Sequence, residues 1–407
     1  MPVRKSDSYD VAVIGAGVFG SWIAYSLRKA GASVILLDAY GPAHARASSG
    51  GESRIIRMGY GPDEIYTRWS LRALPLWQEL FAEAGRPELF QRTGVLWIAD
   101  ETARESYARD TIATLAHLRV PFEKLSNADL RHRYPQISID DTSYGILEPS
   151  SGVLMARRAV QCIVDQAQKI GVTYQIAAAQ SPKPSSALRG KLLEIATTTA
   201  ATENISAANF VFACGPWLPK LFPSLLANRI FTSRQEIFFF GVPPGDQRFQ
   251  SPALPTWLIL RDEFYGMPDL ESRGFKVAND RHGPAVDPDT QSRIATPEAL
   301  AAAREFLARR FPALKNAPVV ETRVCQYENT SNGDFLIDQH PAFENVWLVG
   351  GGSGHGFKHG PSVGEYVTTR ILQAGTPNLT SIQPEAEQLE RRFSLATKES
   401  AQHRAIF

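Results

Sequence analysis

The first patterned stretch of the chain, Tyr9-Asp10-Val11-Ala12-Val13-Ile14, is a short, nearly continuous apolar run, as a strand buried on both faces shows. Apolar positions then recur at helical spacing from Val18 to Ala30, where Gly31 closes the pattern, and Ser33 to Leu37 reads as a second buried strand. Strand, helix and strand in that order predict a βαβ unit with parallel strands. Helical spacing returns in Glu64 to Ala84, Thr102 to Leu118, Ala156 to Ile170, Pro297 to Arg310 and Gly364 to Ala374. Leu89 to Asp100 and Arg229 to Val277 differ, being rich in aromatic and β-branched residues with turn punctuation, and read as strand-rich. An Ala/Thr-rich stretch near residues 196 to 208 reads as a strand connection. The expected class is therefore α/β: a Rossmann-like domain accompanied by an α+β, sheet-rich second domain. The boundaries expected are 1–85, 150–225 and 320–385 for the first, 86–149 and 226–319 for the second, and a C-terminal tail over 386–407.

Composition narrows the partners. With 407 residues and 43% apolar content the chain can bury a large core. Its 43 Lys and Arg balance 42 Asp and Glu, so charge provides no reason to expect nucleic acid or an anionic membrane, and a small molecule is the expected ligand. Three scattered cysteines, Cys162, Cys214 and Cys325, make no disulfide framework, and no Cys/His spacing resembles a metal site. No apolar run approaches the roughly 18 residues that span a bilayer, and no signal-peptide pattern is visible. The last residues, Ala405-Ile406-Phe407, differ from the Ser-Lys-Leu peroxisomal address, so the expected location is the cytoplasm.

The first chemical motif is Gly15-Ala16-Gly17-Val18-Phe19-Gly20, set between the first strand and its helix, with Asp38 at the end of the second strand. Gly15 permits a tight turn, Gly17 lets backbone approach a pyrophosphate, Gly20 lets helix pack on strand, and Asp38 would accept from a ribose hydroxyl. The motif predicts dinucleotide binding without choosing between FAD and NAD. Further on, Ser48-Ser49-Gly50-Gly51-Glu52-Ser53-Arg54-Ile55-Ile56-Arg57 is a small-residue run ending in two arginines, which suits backbone pressed against a ring.

At these residues the chain resembles the monomeric sarcosine oxidase and N-methyltryptophan oxidase family, within the larger D-amino-acid-oxidase-like class of FAD-dependent amine oxidoreductases. The likeness is carried by the glycine motif, by Ser53 to Arg57 with Tyr60-Gly61, by Gly274-Phe275-Lys276, by Cys325-Gln326-Tyr327, by Asp334 to Asp338, and by Gly352-Ser353-Gly354-His355-Gly356-Phe357-Lys358. The resemblance implies FAD, tethered by a thioether from Cys325, with Ser48, Ser49, Gly354, Gly356, Phe357 and Lys358 joining the glycine motif and Asp38 around it. It implies that Lys276 lies over the flavin and activates oxygen, where a fixed cation would stabilise negative charge building on oxygen. It further implies that Arg57 and Lys358 grip a substrate carboxylate, that Arg54 sits beside the flavin, and that Tyr60 and Tyr327 line the pocket. Cys162 and Cys214 need no role, and His355 is read as structural.

Two positions depart from the sarcosine oxidases: Asp280 and Gly50 each stand where those enzymes place a histidine. Lys276-Val277-Ala278-Asn279-Asp280 is also similar to fructosyl amino acid oxidases, in which an acid here bonds sugar hydroxyls. The expected activity is FAD-dependent oxidation of a secondary amine, an N-alkyl amino acid or related imino acid, giving an imine and hydrogen peroxide, with oxygen as acceptor and the protein a monomer. The alternatives are a glycated amino acid oxidase, or a flavin-binding subunit that passes electrons to a protein partner.

Overall fold

Val11 to Ile14 are buried because the strand Tyr9–Ile14 lies inside a parallel sheet, between Thr202–Phe212 on one side and Val34–Asp38 on the other. The computed structural model describes residues 8–101, 105–183, 190–198, 202–373 and 383–400. The sheet continues through Thr173–Ile176 at one edge and Glu194–Thr198 and Ala178–Ala179 at the other, while Val346–Gly350 pairs with Thr202–Phe212 and with Leu336–Gln339. Helix Val18–Lys29 covers one face, packing against Ala156–Lys169 and Gly360–Gln373. Gly31 follows it at φ +97°, a left-handed conformation that a side chain resists.

A second sheet runs in the order Val319–Thr330, Ile230–Phe240, Phe275–Asn279, Phe264–Met267, Thr256–Ile259, Val95–Asp100, Ser143–Glu148 and Glu123–Leu125. Strand period 2 gives it two unlike faces. On one, Phe238, Phe240, Trp257, Phe275 and Val277 pack against helix Pro297–Arg310, with Trp257 stacked on Phe275 and Phe306 at 5.7 and 5.5 Å between ring centroids. The other carries Tyr265, Ala278, Ile237, Phe239 and Cys325 in a smaller cluster. Truncating large buried aromatics of this kind to Ala typically costs about 3–5 kcal/mol each, so the first face is the main anchor of this sheet. A third sheet of Arg54–Ile56, Gly152–Leu154 and Phe90–Gln91 links the two halves.

The fold is of the α/β class expected, but three local readings change. The Ala/Thr-rich stretch is strand on both sides: Glu194–Thr198 pairs antiparallel with the start of Thr202–Phe212, because its β-branched residues suit a pleated ladder better than a connection. Residues 199–201 lie outside the described set, as do 102–104 at the start of the expected helix, which is described from Glu105. Helix Asn127–Arg133, held by a Ser126/Asp129 capping box, has no counterpart in the sequence pattern because it is too short to show a period. Toward the C-terminus, helix Gln383–Phe393 docks on the body: Phe393 is fully buried, and Arg392 bonds Asp63 and Asp334. No helix among the described residues is long and apolar enough to cross a membrane.

Candidate functional site

The turn after the first strand opens a cavity of about 400 Å³, within the size range of cofactor sites. Gly15, at φ +108°, presses against the neighbouring strand, since a Cβ there would lie 2.3 Å from the Ala213 carbonyl oxygen. At Gly20 a Cβ would stand 1.9 Å from the Gly15 oxygen, so the helix can begin directly under the turn only without a side chain. Asp38 braces the turn by accepting from the Ala16 N–H at 2.7 Å and from the Tyr40 and Gly41 N–H groups at 2.9 Å each. The helix N-terminus is held from across the cavity by Ser49, whose Oγ accepts from the Val18 N–H at 3.1 Å. Gly17 caps that helix with no side-chain hydrogen bond, leaving N–H donors and the positive end of the helix dipole for an anion.

Of the residues singled out from sequence, Gly15, Gly17, Val18, Phe19, Asp38, Ser48, Ser49, Arg54, Tyr327, Gly354, Gly356 and Phe357 line this cavity. Gly20 lies beneath it. Cys325 is buried beside it, its Sγ 3.5 Å from Arg54 Nη2 and 3.8 Å from the Ser48 oxygen. The cradle stripped of Cβ atoms, the donor-bearing helix end and the small-residue loop together fit a dinucleotide such as FAD. Gly50 is explained by its own crowding: a Cβ would fall 2.0 Å from the His44 oxygen, so no side chain fits at this position of this backbone.

A second group of residues comes from the other face of the second sheet, opposite the one packed on Pro297–Arg310. Along Phe275–Asn279, Lys276 and Ala278 share a face, and Asp280 follows in the same alternation; Tyr265 lies opposite Ala278, and Cys325 and Tyr327 share a face of the neighbouring strand pair. Lys276 Nζ donates to the Ser53 carbonyl at 3.0 Å and meets its Oγ at 3.2 Å. Burial, then the Arg54 charge, lower the Lys276 ammonium to about 7. The Tyr265 and Tyr327 hydroxyls meet at 3.3 Å. Burial pushes Tyr265 up to about 12 and Tyr327 well above its usual value, so both are neutral hydrogen-bonding groups.

Arg57, Tyr60, Lys358 and Asp280 form a neighbouring buried cluster outside the cavity wall. The Arg57 guanidinium lies 4.4 Å from the Tyr60 ring centroid and 4.6 Å from that of Trp97, and donates to the Gly59 carbonyl. Lys358 Nζ donates to Tyr60 Oη at 2.7 Å and to the His355 carbonyl at 3.0 Å. Burial, then the Arg57 charge, hold the Lys358 ammonium well below its usual range. Tyr60 Oη also meets His359 Nε2 at 2.8 Å, and burial keeps that imidazole neutral at ordinary pH. His355 has a structural place, its Nε2 2.9 Å from the Gly333 oxygen.

Three further residues belong to this region without a signal in the sequence pattern. Glu148 accepts from the Met58 and Gly59 N–H groups at 2.6 and 3.0 Å, from Trp97 Nε1 at 2.8 Å and from Ser151 Oγ at 2.6 Å. It fixes the turn between Arg57 and Tyr60 and acts on both Arg57 and Lys358 as an opposite charge. Nothing in its own segment points to this, because Met58 lies 90 residues away along the chain. Tyr265 is visible only once strand register is known, and Glu328, next to Tyr327, lines the cavity.

The chain matches the family model described as FAD dependent oxidoreductase over residues 10–370. It is 31% identical over 383 residues to a monomeric sarcosine oxidase of Bacillus sp. (strain NS-129), covering 93% of this chain and 96% of that one. It is also 31% identical over 373 residues to the peroxisomal sarcosine oxidase of Homo sapiens, covering 89% of this chain and 91% of that one. Among solved structures, the fructosyl peptide oxidase from E. terrenum superposes with a TM-score of 0.79 at 18% identity, covering 100% of this chain and 96% of that one, which shows the shared fold.

Proposed function

Because the chain belongs to the family of FAD-dependent oxidoreductases, we propose that it oxidises the CH–NH bond of a small secondary amine bearing a carboxylate, an N-alkyl amino acid or related imino acid. The amine and oxygen would give an imine and hydrogen peroxide, the imine then hydrolysing to a carbonyl compound and a smaller amine. The observation that carries the reading is the pair of buried cations, Arg57 and Lys358, gathered at Tyr60 beside the cavity, with Lys358 donating to the Tyr60 hydroxyl and the His355 carbonyl. Two such cations with the Tyr60 phenol between them suit a planar anion, which would add to the opposite charges of Glu148 and Asp280 in offsetting their mutual repulsion.

Bound FAD would supply the two-electron acceptor for the amine and pass those electrons to oxygen. The glycine turn and Ser49 would hold its diphosphate end, Arg54 and Tyr327 its ring end, and Arg57 with Lys358 would fix the substrate carboxylate so that its reacting carbon faces the ring. Tyr265 and Tyr327, both neutral, would shape the pocket and exclude water. Lys276 would stand as the cation for oxygen. Asp280 acts as an opposite charge on both Arg57 and Lys358; an acid there favours a substrate that also offers hydroxyl or N–H donors, and so supports a glycated amino acid as the second reading.

Anaerobic mixing with a panel of N-methyl, cyclic and glycated amino acids tests this. Bleaching of the flavin, followed by recovery and peroxide on admitting air, is the expected result. A flavin that no amine bleaches sinks the reading, and one that is bleached but recovers only with a protein acceptor favours an electron-transferring subunit.

We further propose that Cys325 carries the flavin as a thioether to a methyl carbon of the ring, one S–H and one C–H bond giving way to the C–S bond and the two hydrogens with their electrons going to oxygen, a reading supported by the burial of Cys325 against Arg54 and Ser48 at the cavity edge. Acid precipitation should leave the yellow colour in the pellet of the wild-type protein and release it to the supernatant from Cys325→Ala. Release from both would remove the tether while leaving FAD binding intact.

A further inference from the structure

Glu328 follows Tyr327 on the strand Val319–Thr330 and sits buried in the wall of the dinucleotide cavity. It forms no salt bridge among the described residues, and its Oε1 has no hydrogen-bond partner. That oxygen is wedged against Gly350, where a Cβ would come within 2.3 Å of it. The N–H groups of Gly351 and Gly352 favour its charged form, but burial outweighs them and raises its titration to about 8, with no charged neighbour contributing. The titratable group that faces it is the Cys214 thiol, after the strand Thr202–Phe212, itself pushed up by burial; Asp38, Arg54, Lys220 and Asp289 line the same cavity elsewhere.

A buried carboxylate with one oxygen left unpaired and no cation beside it is costly, whereas a carboxylic acid is a neutral group with one O–H to donate. The ligand of this cavity is an anion whose phosphates, hydroxyls and ring carbonyls all present acceptor oxygens. A carboxylate would repel such a ligand, and an acid can bond it. We propose that Glu328 is a cofactor-binding residue that enters the complex as the neutral acid and donates its proton in a hydrogen bond to an acceptor oxygen of the bound dinucleotide, linking FAD binding to one proton. The proposal rests on FAD occupying the cavity and is independent of which amine the protein oxidises.

The test uses Cys325→Ala protein, in which the flavin can exchange, freed of flavin and titrated with FAD between about pH 6 and about pH 10, a window that brackets a raised carboxyl. Affinity should fall as pH rises through the Glu328 titration, approaching about tenfold per pH unit beyond it. Glu328→Gln keeps an N–H donor and should lose that slope, while Glu328→Leu, lacking both donor and charge, should bind more weakly than Glu328→Gln at every pH and likewise without the slope. An equal slope with Glu328→Gln, or no slope with Glu328 present, overturns the proposal. Independently of affinity, the infrared spectrum of wild-type holoprotein at neutral pH should show a protonated carboxyl carbonyl band that Glu328→Gln lacks. Identical spectra overturn the proposal as well. Failure of FAD to bind any form, wild type included, would instead count against FAD in the cavity.

Discussion

Lys276→Met should leave reduction of the flavin by amine nearly unchanged and slow its reoxidation by oxygen about 10²–10³-fold, the typical loss on removing one preorganised hydrogen-bond donor from a reacting centre. The side chain is held for that purpose: its Nζ is fixed on Ser53, it is buried, and no carboxylate among the described residues neutralises it by direct contact. A lysine with its charge already cancelled by an acid would offer little to a developing anion. Met fills similar volume, so packing against Tyr265, whose ring centroid lies 5.8 Å from Nζ, is largely kept. Stopped-flow kinetics separate the halves, and the flavin can be reduced photochemically, so the oxygen step is read without any substrate. Because burial and Arg54 bring the ammonium down to about 7, the charge is present below that value and lost above it. Reoxidation should therefore slow as pH rises through the Lys276 titration, which the charge on reduced flavin will shift upward. Lys276→Arg, always charged, should flatten that profile; an unchanged profile, or reoxidation as fast in Lys276→Met as in wild type, would remove Lys276 from the oxygen step.

Features written in contiguous residues are legible in the amino-acid sequence alone. The glycine turn is one, because Gly15, Gly17 and Gly20 answer to backbone crowding within a single strand-turn-helix unit. The long helices are another, down to the bounds of Pro297–Arg310. Period 2 along Phe275–Asn279 already puts Lys276 and Asp280 on one side. Features that depend on pairing between distant segments are not legible in this way. Glu148 matters only because Met58, Gly59 and Trp97 all turn toward it, and Tyr265 only because its strand lies in register with Phe275–Asn279. The stretch near 196 to 208 reads as a strand connection, yet Glu194–Thr198 and the start of Thr202–Phe212 pair with each other as antiparallel strands, a register that shows only once the partner strand is in place.

Arg57→Met is expected to cost the largest share of substrate recognition, about 2–5 kcal/mol, the usual range for truncating one member of a buried, hydrogen-bonded charge pair. At about 1.4 kcal/mol per tenfold, kcat/KM for a carboxylated amine should fall by roughly 30-fold to several thousandfold. The loss should appear mainly in KM, because the carboxylate is gripped alike in the ground and transition states. Met keeps a flexible apolar stem under Tyr60 and Trp97, whereas Arg57→Lys would lose the fork that matches a planar anion. A structural role for Arg57 could also weaken binding, so the discriminating measurement is the pH dependence of binding a simple carboxylate inhibitor. Lys358 must be charged to hold that inhibitor, and the Arg57 charge is one of the causes, after burial, that lower it. Its contribution is present below its titration and lost above, so binding should weaken on the alkaline side. With Arg57 replaced, that repulsion disappears and the alkaline limb should move to higher pH even as the affinity drops. An affinity loss with an unmoved limb would mean that Arg57 holds the Tyr60 turn together and does not share an anion with Lys358.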